Sequence, residues 1–254
     1  MTRVKFVCLN LWIGGKLFDD ILDFLKKESP DILVVQEAYN SKDKNWENRL
    51  RSIEIFKKEC NFPYNFFSPA CIAVLEDKEV EAGNAIFSRF PIVKSDTIFF
   101  DVPFKKIFNY ETINSDYSLT PRNLQHAVIK INNTNLNVFN TQGIWDKNRE
   151  DTERRLKMAN TIVDNIKGKE NVILAGDFNV KPNTKSISVI EGHLNNIFKG
   201  NLKTTWNMRQ KNDPVKETAV IDMVFVSKDI KIVDKYCPNV DISDHLPLVC
   251  IFEI

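Results

Sequence analysis

Four acidic residues in this chain stand where short apolar runs end, and that placement carries the first chemical meaning. Ile32-Leu33-Val34-Val35 runs into Gln36-Glu37, and Val172-Ile173-Leu174-Ala175 runs into Gly176-Asp177-Phe178-Asn179. Val220-Ile221 leads to Asp222. Ile242-Ser243 leads to Asp244-His245, with Leu246-Pro247-Leu248 directly behind. A carboxylate beside a buried strand is costly unless a counter-charge, hydrogen bonds or a metal ion compensates it. Taken singly, each has an ordinary explanation. An Asp at a strand end is usually a turn or cap residue, and a lone His is usually a satisfied surface or core group. The set, not its members, points to a shared cation.

The donor chemistry narrows that cation. Glu37, Asp177, Asp222 and Asp244 offer hard oxygen only, which suits magnesium, manganese or calcium. The five cysteines (Cys8, Cys60, Cys71, Cys237 and Cys250) form no C-x-x-C pair, so zinc is not expected. Magnesium keeps part of its water shell and commonly bridges protein carboxylates to a substrate phosphate. There it polarises the phosphoryl oxygen and stabilises the leaving oxyanion.

Elements of regular structure must bring these residues together. Alternation and short apolar runs predict strands over 4–9, 32–36, 71–75, 84–88, 92–100, 125–131, 136–141, 172–175, 220–226 and 248–252. Leu17, Ile21, Leu22 and Leu25 share one helical face, and Ser29-Pro30 ends that helix. Trp46, Leu50, Ile53 and Phe56 mark a second face. Leu156, Ala159, Ile162, Val163 and Ile166 mark a third, with charged residues opposite. Many strands with few helices argue for two sheets packed face to face with helices outside. Two polar segments read as surface loops: 101–122, which mixes Lys105 and Lys106 with Phe104, Phe108 and Tyr110, and 207–218, which contains Pro214. Long loops in a compact domain are often functional.

Composition sets the outer limits. With 254 residues, 43% of them apolar and 18 of them Phe, a sizeable core is expected and disorder is not. A formal net charge of +1 gives no global basic field, so any nucleic-acid contact would rest on a local patch. Unclustered cysteines fit reduced thiols in a cytoplasmic protein. No leader and no membrane-spanning run is expected, because Lys5 interrupts the first apolar stretch and no run of about 18 apolar residues occurs.

Six blocks stand in order across nearly the whole chain. They are Leu9-Asn10-Leu11-Trp12, Val35-Gln36-Glu37, the run Gly-Asn-Ala-Ile-Phe-Ser-Arg-Phe-Pro at 83–91, Gly176-Asp177-Phe178-Asn179, Ile221-Asp222-Met223-Val224-Phe225 and Ser243-Asp244-His245. Together they resemble the endonuclease/exonuclease/phosphatase superfamily, the fold group of pancreatic deoxyribonuclease. Apurinic endonucleases, deadenylases, neutral sphingomyelinases and inositol polyphosphate phosphatases share that group. The resemblance implies an α+β fold: a DNase I-like, four-layer α/β/β/α sandwich of two packed mixed sheets with outer helices. A single domain over residues 1–254 is expected.

The resemblance also implies roles. Glu37 would be the principal Mg2+ ligand, with Asn10 and Asp244 nearby and Mn2+ as a possible substitute. Asp177 would orient or deprotonate the attacking water, or hold a second metal ion instead, and Asn179 would donate to the phosphoryl oxygens. Asp222 would hydrogen-bond the far ring nitrogen of His245. His245 would then act as a general base or, the favoured reading, as a cationic phosphate clamp. Asn84 and Arg122 would line the phosphate pocket. One departure stands out: many relatives place His after Asn-Thr, where this chain reads Asn140-Thr141-Gln142-Gly143. Gln142 donates a neutral hydrogen bond but cannot transfer a proton, so a slow enzyme is expected. The leading expectation is a Mg2+-dependent phosphodiesterase acting on nucleic acid, monomeric and not inserted in a membrane. The alternatives are a hydrolase of lipid or inositol phosphates, or a weakly active phosphate-binding member of the group.

Overall fold

Alternation inside single strands dictates how the chain layers itself. In β1 (Arg3–Asn10), Val4, Phe6 and Cys8 face one side and Val7 and Leu9 the other, and both sets are buried. A strand that is apolar on both faces must lie between two other layers. The computed structural model describes residues 2–76, 78–111, 116–211 and 213–254, and it shows that arrangement throughout.

Two mixed sheets form the centre. One runs in the order β12 (Lys231–Tyr236), β13 (Leu248–Glu253), β1, β2 (Ile32–Asn40), β4 (Lys78–Ser88), β3 (Tyr64–Leu75) and β6 (Lys105–Ile107). The other runs β10 (Asn195–Asn196), β11 (Asp222–Val226), β9 (Val172–Asp177), β8 (Thr134–Gln142), β7 (Asn123–Ile131) and β5 (Ile92–Phe99). Val4, Phe6, Val34 and Phe252 of the first sheet meet Ile129, Val138, Ile173 and Val224 of the second in the inter-sheet core. Helices α1 (Phe18–Glu28) and α2 (Ser52–Glu59) cover the outside of the first sheet through Ile21, Leu25, Ile53 and Phe56. Helices α3 (Glu153–Ile166) and α4 (Lys185–Glu191) cover the second through Ala159, Ile162, Ile187 and Ile190. The result is the expected four-layer α/β/β/α sandwich.

Several details depart from the sequence reading. β3 starts at Tyr64 rather than at residue 71, because its polar and Pro-bearing first half still pairs with β4. The face read across Trp46, Leu50, Ile53 and Phe56 is split. Residues Asn48–Arg51 form a 3-10 turn ahead of α2, and Trp46 precedes it and packs against the cluster that contains Tyr39 and Leu50. Strands β6, β10 and β12 and helix α4 are too short, or too exposed along the strand, to show a period. Among the charged residues of α3, which the sequence reading set opposite the apolar face, Arg155 is fully buried. Of the two surface segments, residues 112–115 and 212 lie outside the described residues. No helix among the described residues is long and apolar enough to cross a membrane.

One glycine is essential to the sheet that carries the site. Gly176 has φ +151°, and a Cβ there would meet the Thr141 carbonyl oxygen of β8 at 1.9 Å. Backbone cannot yield as a side-chain tip can. Gly176→Ala is therefore expected to lower stability by about 3 kcal/mol, from overpacking and backbone strain together. Urea unfolding checks this, and an unchanged midpoint would show that β8 and β9 can separate without cost.

Candidate active site

Strand register places the first group of residues. β8 and β9 run parallel with Gln142 beside Asp177, and β11 runs antiparallel to β9 with Asp222 on the other side of Asp177. In the facing sheet, parallel pairing of β1 and β2 sets Asn10 beside Gln36. The segment before β13 brings Asp244 and His245. It is held by a bridge between Trp206 and His245, and by the Asn207 N–H donating to the Asp244 carbonyl at 2.8 Å.

Glu37 reaches this edge through a bulge. The pairing of β2 with β4 slips between Val35 and Ala38, and Glu37 sits at φ 59°. A bulge re-aims a side chain out of strict alternation, and a non-glycine residue at positive φ persists only where its surroundings enforce it. Asn140 supplies part of that enforcement from the opposite sheet. Its amide donates to the Val35 carbonyl at 2.9 Å and to the Ala85 carbonyl at 3.1 Å. Its oxygen accepts from Gln36 at 2.6 Å.

Three donors converge on the Glu37 carboxylate. Oε2 accepts from the Ile13 N–H at 2.7 Å, and Oε1 accepts from Gln142 Nε2 at 2.7 Å and Asn10 Nδ2 at 3.2 Å. Asn10 Nδ2 also donates to Asp177 Oδ2 at 3.1 Å. Because Asn10 Oδ1 accepts from the Trp12 N–H at 3.0 Å, the amide nitrogen is the atom turned toward the acids. Asn10, expected beside a metal as a ligand, is thus placed as a brace tying Glu37 to Asp177.

The opposite side of the centre carries the positive charge. His245 Nδ1 lies 2.9 Å from Asp222 Oδ2, and Nε2 lies 3.9 Å from Asp244 Oδ1. Burial alone would lower the pKa of this imidazole. Asp222 and then Asp244 outweigh burial and raise it. Burial raises the Asp177 carboxyl, the His245 charge opposes that rise, and Asp222 adds to it. Near neutral pH the imidazolium is therefore the charged partner of this buried group. Asp177 Oδ1 accepts from the Asn179 N–H at 2.9 Å, and the Asn179 amide donates to the Gly143 carbonyl at 3.2 Å.

These groups open onto one cleft of about 250 Å³. Glu37, Asp177, Asp244, His245, Asn179 and Gln142 all line it, and so does Arg122. Asp222 stands one layer back, behind His245. Asn84 does not line the cleft as expected. It is buried, and its amide donates to Asn123 Oδ1 at 3.0 Å, below the site in the polar seam between the sheets. The sequence reading also missed much of the wall. Trp12, Trp145, Trp206, Tyr117, Arg149 and two lysines of the second loop, Lys211 and Lys216, complete it. The sequence held no clean signal for them: Trp145 and Trp206 stand in polar stretches, but so does Trp46, which packs against a core cluster outside the cleft, and Trp12 stands between Leu11 and Ile13.

Gln142 is integrated into this centre. Its oxygen accepts a hydrogen bond from Arg122, and its nitrogen donates to Glu37. It therefore fixes both an arginine and an acid. Gln142→Leu, which removes both bonds at similar volume, is expected to lower kcat/KM by about 100-fold, since small misplacements of reacting groups have effects of that size. Steady-state kinetics of the folded variant tests this, and an unchanged kcat/KM would leave the bridge with no part in turnover.

A four-layer sandwich with buried carboxylates, a charged histidine and cations at one edge defines a class of phosphate-handling proteins. The chain belongs to the endonuclease/exonuclease/phosphatase family, whose model matches residues 9–245. Phosphoester hydrolysis is the family's reaction. The fold is similar to that of an endonuclease/exonuclease/phosphatase from Beutenbergia cavernae (TM-score 0.77, 15% identity, covering all of this chain and 72% of that one). It is also similar to D. rerio TDP2 complexed with a single-strand DNA product (TM-score 0.71, 16% identity, all of both chains). A Bacteroides thetaiotaomicron mannosyl-6-phosphatase is similar as well (TM-score 0.66, 20% identity, 99% of this chain and all of that one). No curated protein matches the chain.

Proposed function

We propose that this protein is a Mg2+-dependent phosphodiesterase acting on nucleic acid. The observation that carries the reading is a single cleft where Glu37, Asp177, Asp244 and the charged His245 lie among aromatic and cationic side chains. Among the described residues no group of three or more His, Cys, Asp and Glu is disposed to hold a metal by itself. That suits magnesium, which needs one or two carboxylates and takes its other ligands from water and substrate phosphate. Glu37 and Asp244 would hold the ion, which when bound supplies charge to polarise the phosphoryl oxygen.

The remaining roles fall to this chain's own groups. Asp177, held by Asn10 and the Asn179 N–H, orients the attacking water and accepts its proton. His245, kept charged by Asp222, clamps a non-bridging phosphate oxygen through Nε2. Asn179 and Arg122 face the charge that builds on the phosphoryl group. The five unpaired cysteines accord with a reducing, cytoplasmic setting.

An activity panel tests the reading. Single- and double-stranded DNA, RNA, abasic DNA, sphingomyelin and inositol phosphates are each incubated with Mg2+, with Mn2+ and with chelator. Cleavage of a nucleic acid that chelator abolishes is the expected result. Turnover confined to a lipid or inositol phosphate would replace the substrate assignment, and turnover that survives chelation would remove the metal.

A further inference from the structure

Strand order separates two sides of the cleft: Trp206, Lys211 and Lys216 precede β11, whereas Tyr117 precedes β7 and Trp145 follows β8, with β9 between β11 and β8, and Arg149 reaches across to the Trp206 side. On one wall every aromatic face is associated with cations. Lys211 and Lys16 lie 4.8 and 5.0 Å from the centre of the Trp12 ring. Arg149 and Lys216 lie 5.3 and 4.7 Å from the centre of the Trp206 ring, and the His245 ring is 4.3 Å from it. Trp206 is only 8% exposed. A ring so enclosed is no platform for a base; it is a spacer that gathers positive groups.

Arg149 and Lys216 are the least compensated of these groups. Lys211 pairs with Asp244 at 3.1 Å and Lys216 reaches Asp213 only at 3.8 Å. Arg149 forms no ion pair among the described residues, and Lys216 is depressed by burial and by the charges of Lys211 and Arg149. Like charges held together this way lower the free energy of an anion placed among them.

On the other wall, among the described residues, no cation lies over a ring. Tyr117 and Trp145 meet edge to face at 5.9 Å, and both are partly exposed at the cleft. Tyr110 backs Tyr117 at 6.2 Å. The stretch bearing Trp145 and Arg149 is fixed from beneath by the buried Arg155, which donates to the carbonyls of Ile144, Asp146, Glu150 and Asn179. Both walls are thus preorganised, one for a flat apolar group and one for negative charge.

The geometry points to a substrate that is a nucleic-acid strand spanning the cleft, with the phosphate next to the scissile one bound by Arg149 and Lys216 and the base on the opposite side stacked on Tyr117 and Trp145. This rests on the nuclease reading above and adds to it that a lone nucleoside phosphodiester is an incomplete substrate. The sequence of the strand is not read, because stacking and phosphate contacts are indifferent to base identity.

The test uses two short single-stranded DNA oligonucleotides with one cleavable phosphodiester each. One is fully charged, and in the other both phosphates neighbouring the scissile one are neutral methylphosphonates. With Mg2+, the wild-type protein is expected to prefer the charged strand by about 10-fold or more in kcat/KM. In the double variant Arg149→Gln/Lys216→Gln the preference should shrink to within about two-fold. Its salt dependence should flatten by about 0.7 in the log–log slope, the share of one single-strand phosphate contact. Trp145→Ala should weaken binding of a strand with an ordinary flanking base by about 10-fold or more and leave a strand with an abasic flanking residue unaffected. Equal cleavage of both strands by the wild type, or a double variant that keeps the preference, overturns the proposal while the nuclease reading stands. Failure to cleave either strand, together with failure on every nucleic acid of the activity panel, removes the nuclease reading, and this one with it; where the panel shows RNA to be the substrate, the same pair of strands is made as RNA.

Discussion

Asp177→Asn is expected to lower turnover by about 1,000- to 10,000-fold, the scale of a positioned general base within a preorganised site. His245→Ala should do much the same. The double variant should then be little worse than either single one, because groups acting on one transition state fail together. The geometry motivates the coupling. Asp177 lies between Gln142 and Asp222 in strand register, Asp222 holds His245 at 2.9 Å, and each partner changes the other's proton affinity. The substitution Asp177→Asn keeps shape but turns an N–H2 toward one of two donors, Asn10 Nδ2 or the Asn179 N–H. A stability loss of about 1–3 kcal/mol is expected from that mismatch, small enough to leave a folded protein. Urea unfolding and single-turnover kinetics separate the two effects. If the two rate losses multiply in the double variant, Asp177 and His245 do not serve one transition state.

The centre of this site was legible in the sequence and its rim was not, for a physical reason. Glu37, Asp177, Asp222 and His245 interrupt apolar runs, so burial leaves them conspicuous in one dimension. The layers were legible for the same reason: β1 and β9 are apolar on both faces, which only a covered sheet allows. Arg149, Lys211, Lys216 and Trp145 come from polar loops, where a cationic or aromatic residue looks like any solvated one until the chain returns it to the cleft. Asn84 shows the converse error. It stands in a matching block and is buried, yet it serves the polar seam between the sheets, and alternation along β4 could not separate those two fates. Asn10 stands beside Glu37 and Asp177, and the orientation of its amide, set by the Trp12 N–H, could not be read from the sequence. The long segment 101–122 was expected as a surface loop, yet Tyr110, Thr120 and Arg122 in it are buried. Its Phe104 and Phe108 are exposed, so its apolar residues did not mark which part turns inward.

Glu37→Gln is expected to weaken Mg2+ binding by about 100-fold or more and to reduce turnover in proportion, with the fold retained. Loss of a ligand's charge and loss of its supporting bonds act together here, and metal sites depend on both. All three groups that meet the Glu37 carboxylate are donors: the Ile13 N–H, Gln142 Nε2 and Asn10 Nδ2. A carboxamide offers one oxygen in place of two, so one of its ends must point an N–H2 at a donor. If that end faces Gln142, the bridge to Arg122 loosens. If it faces Ile13, the turn at Trp12 and Ile13, both at positive φ, loses the bond that holds it. Either way the oxygen left for a cation is neutral and its orientation is no longer set by three bonds. Mg2+ titration calorimetry measures the affinity directly, and thermal unfolding with and without Mg2+ gives an independent readout. The wild-type midpoint should rise with saturating metal and the variant's should not, since a ligand that binds only the native state stabilises it by mass action. A folded Glu37→Gln protein with wild-type Mg2+ affinity would remove Glu37 from the metal. The carboxylate's three hydrogen bonds would then be its whole function, as the tie that joins the bulge of β2 to Gln142 and Asn10.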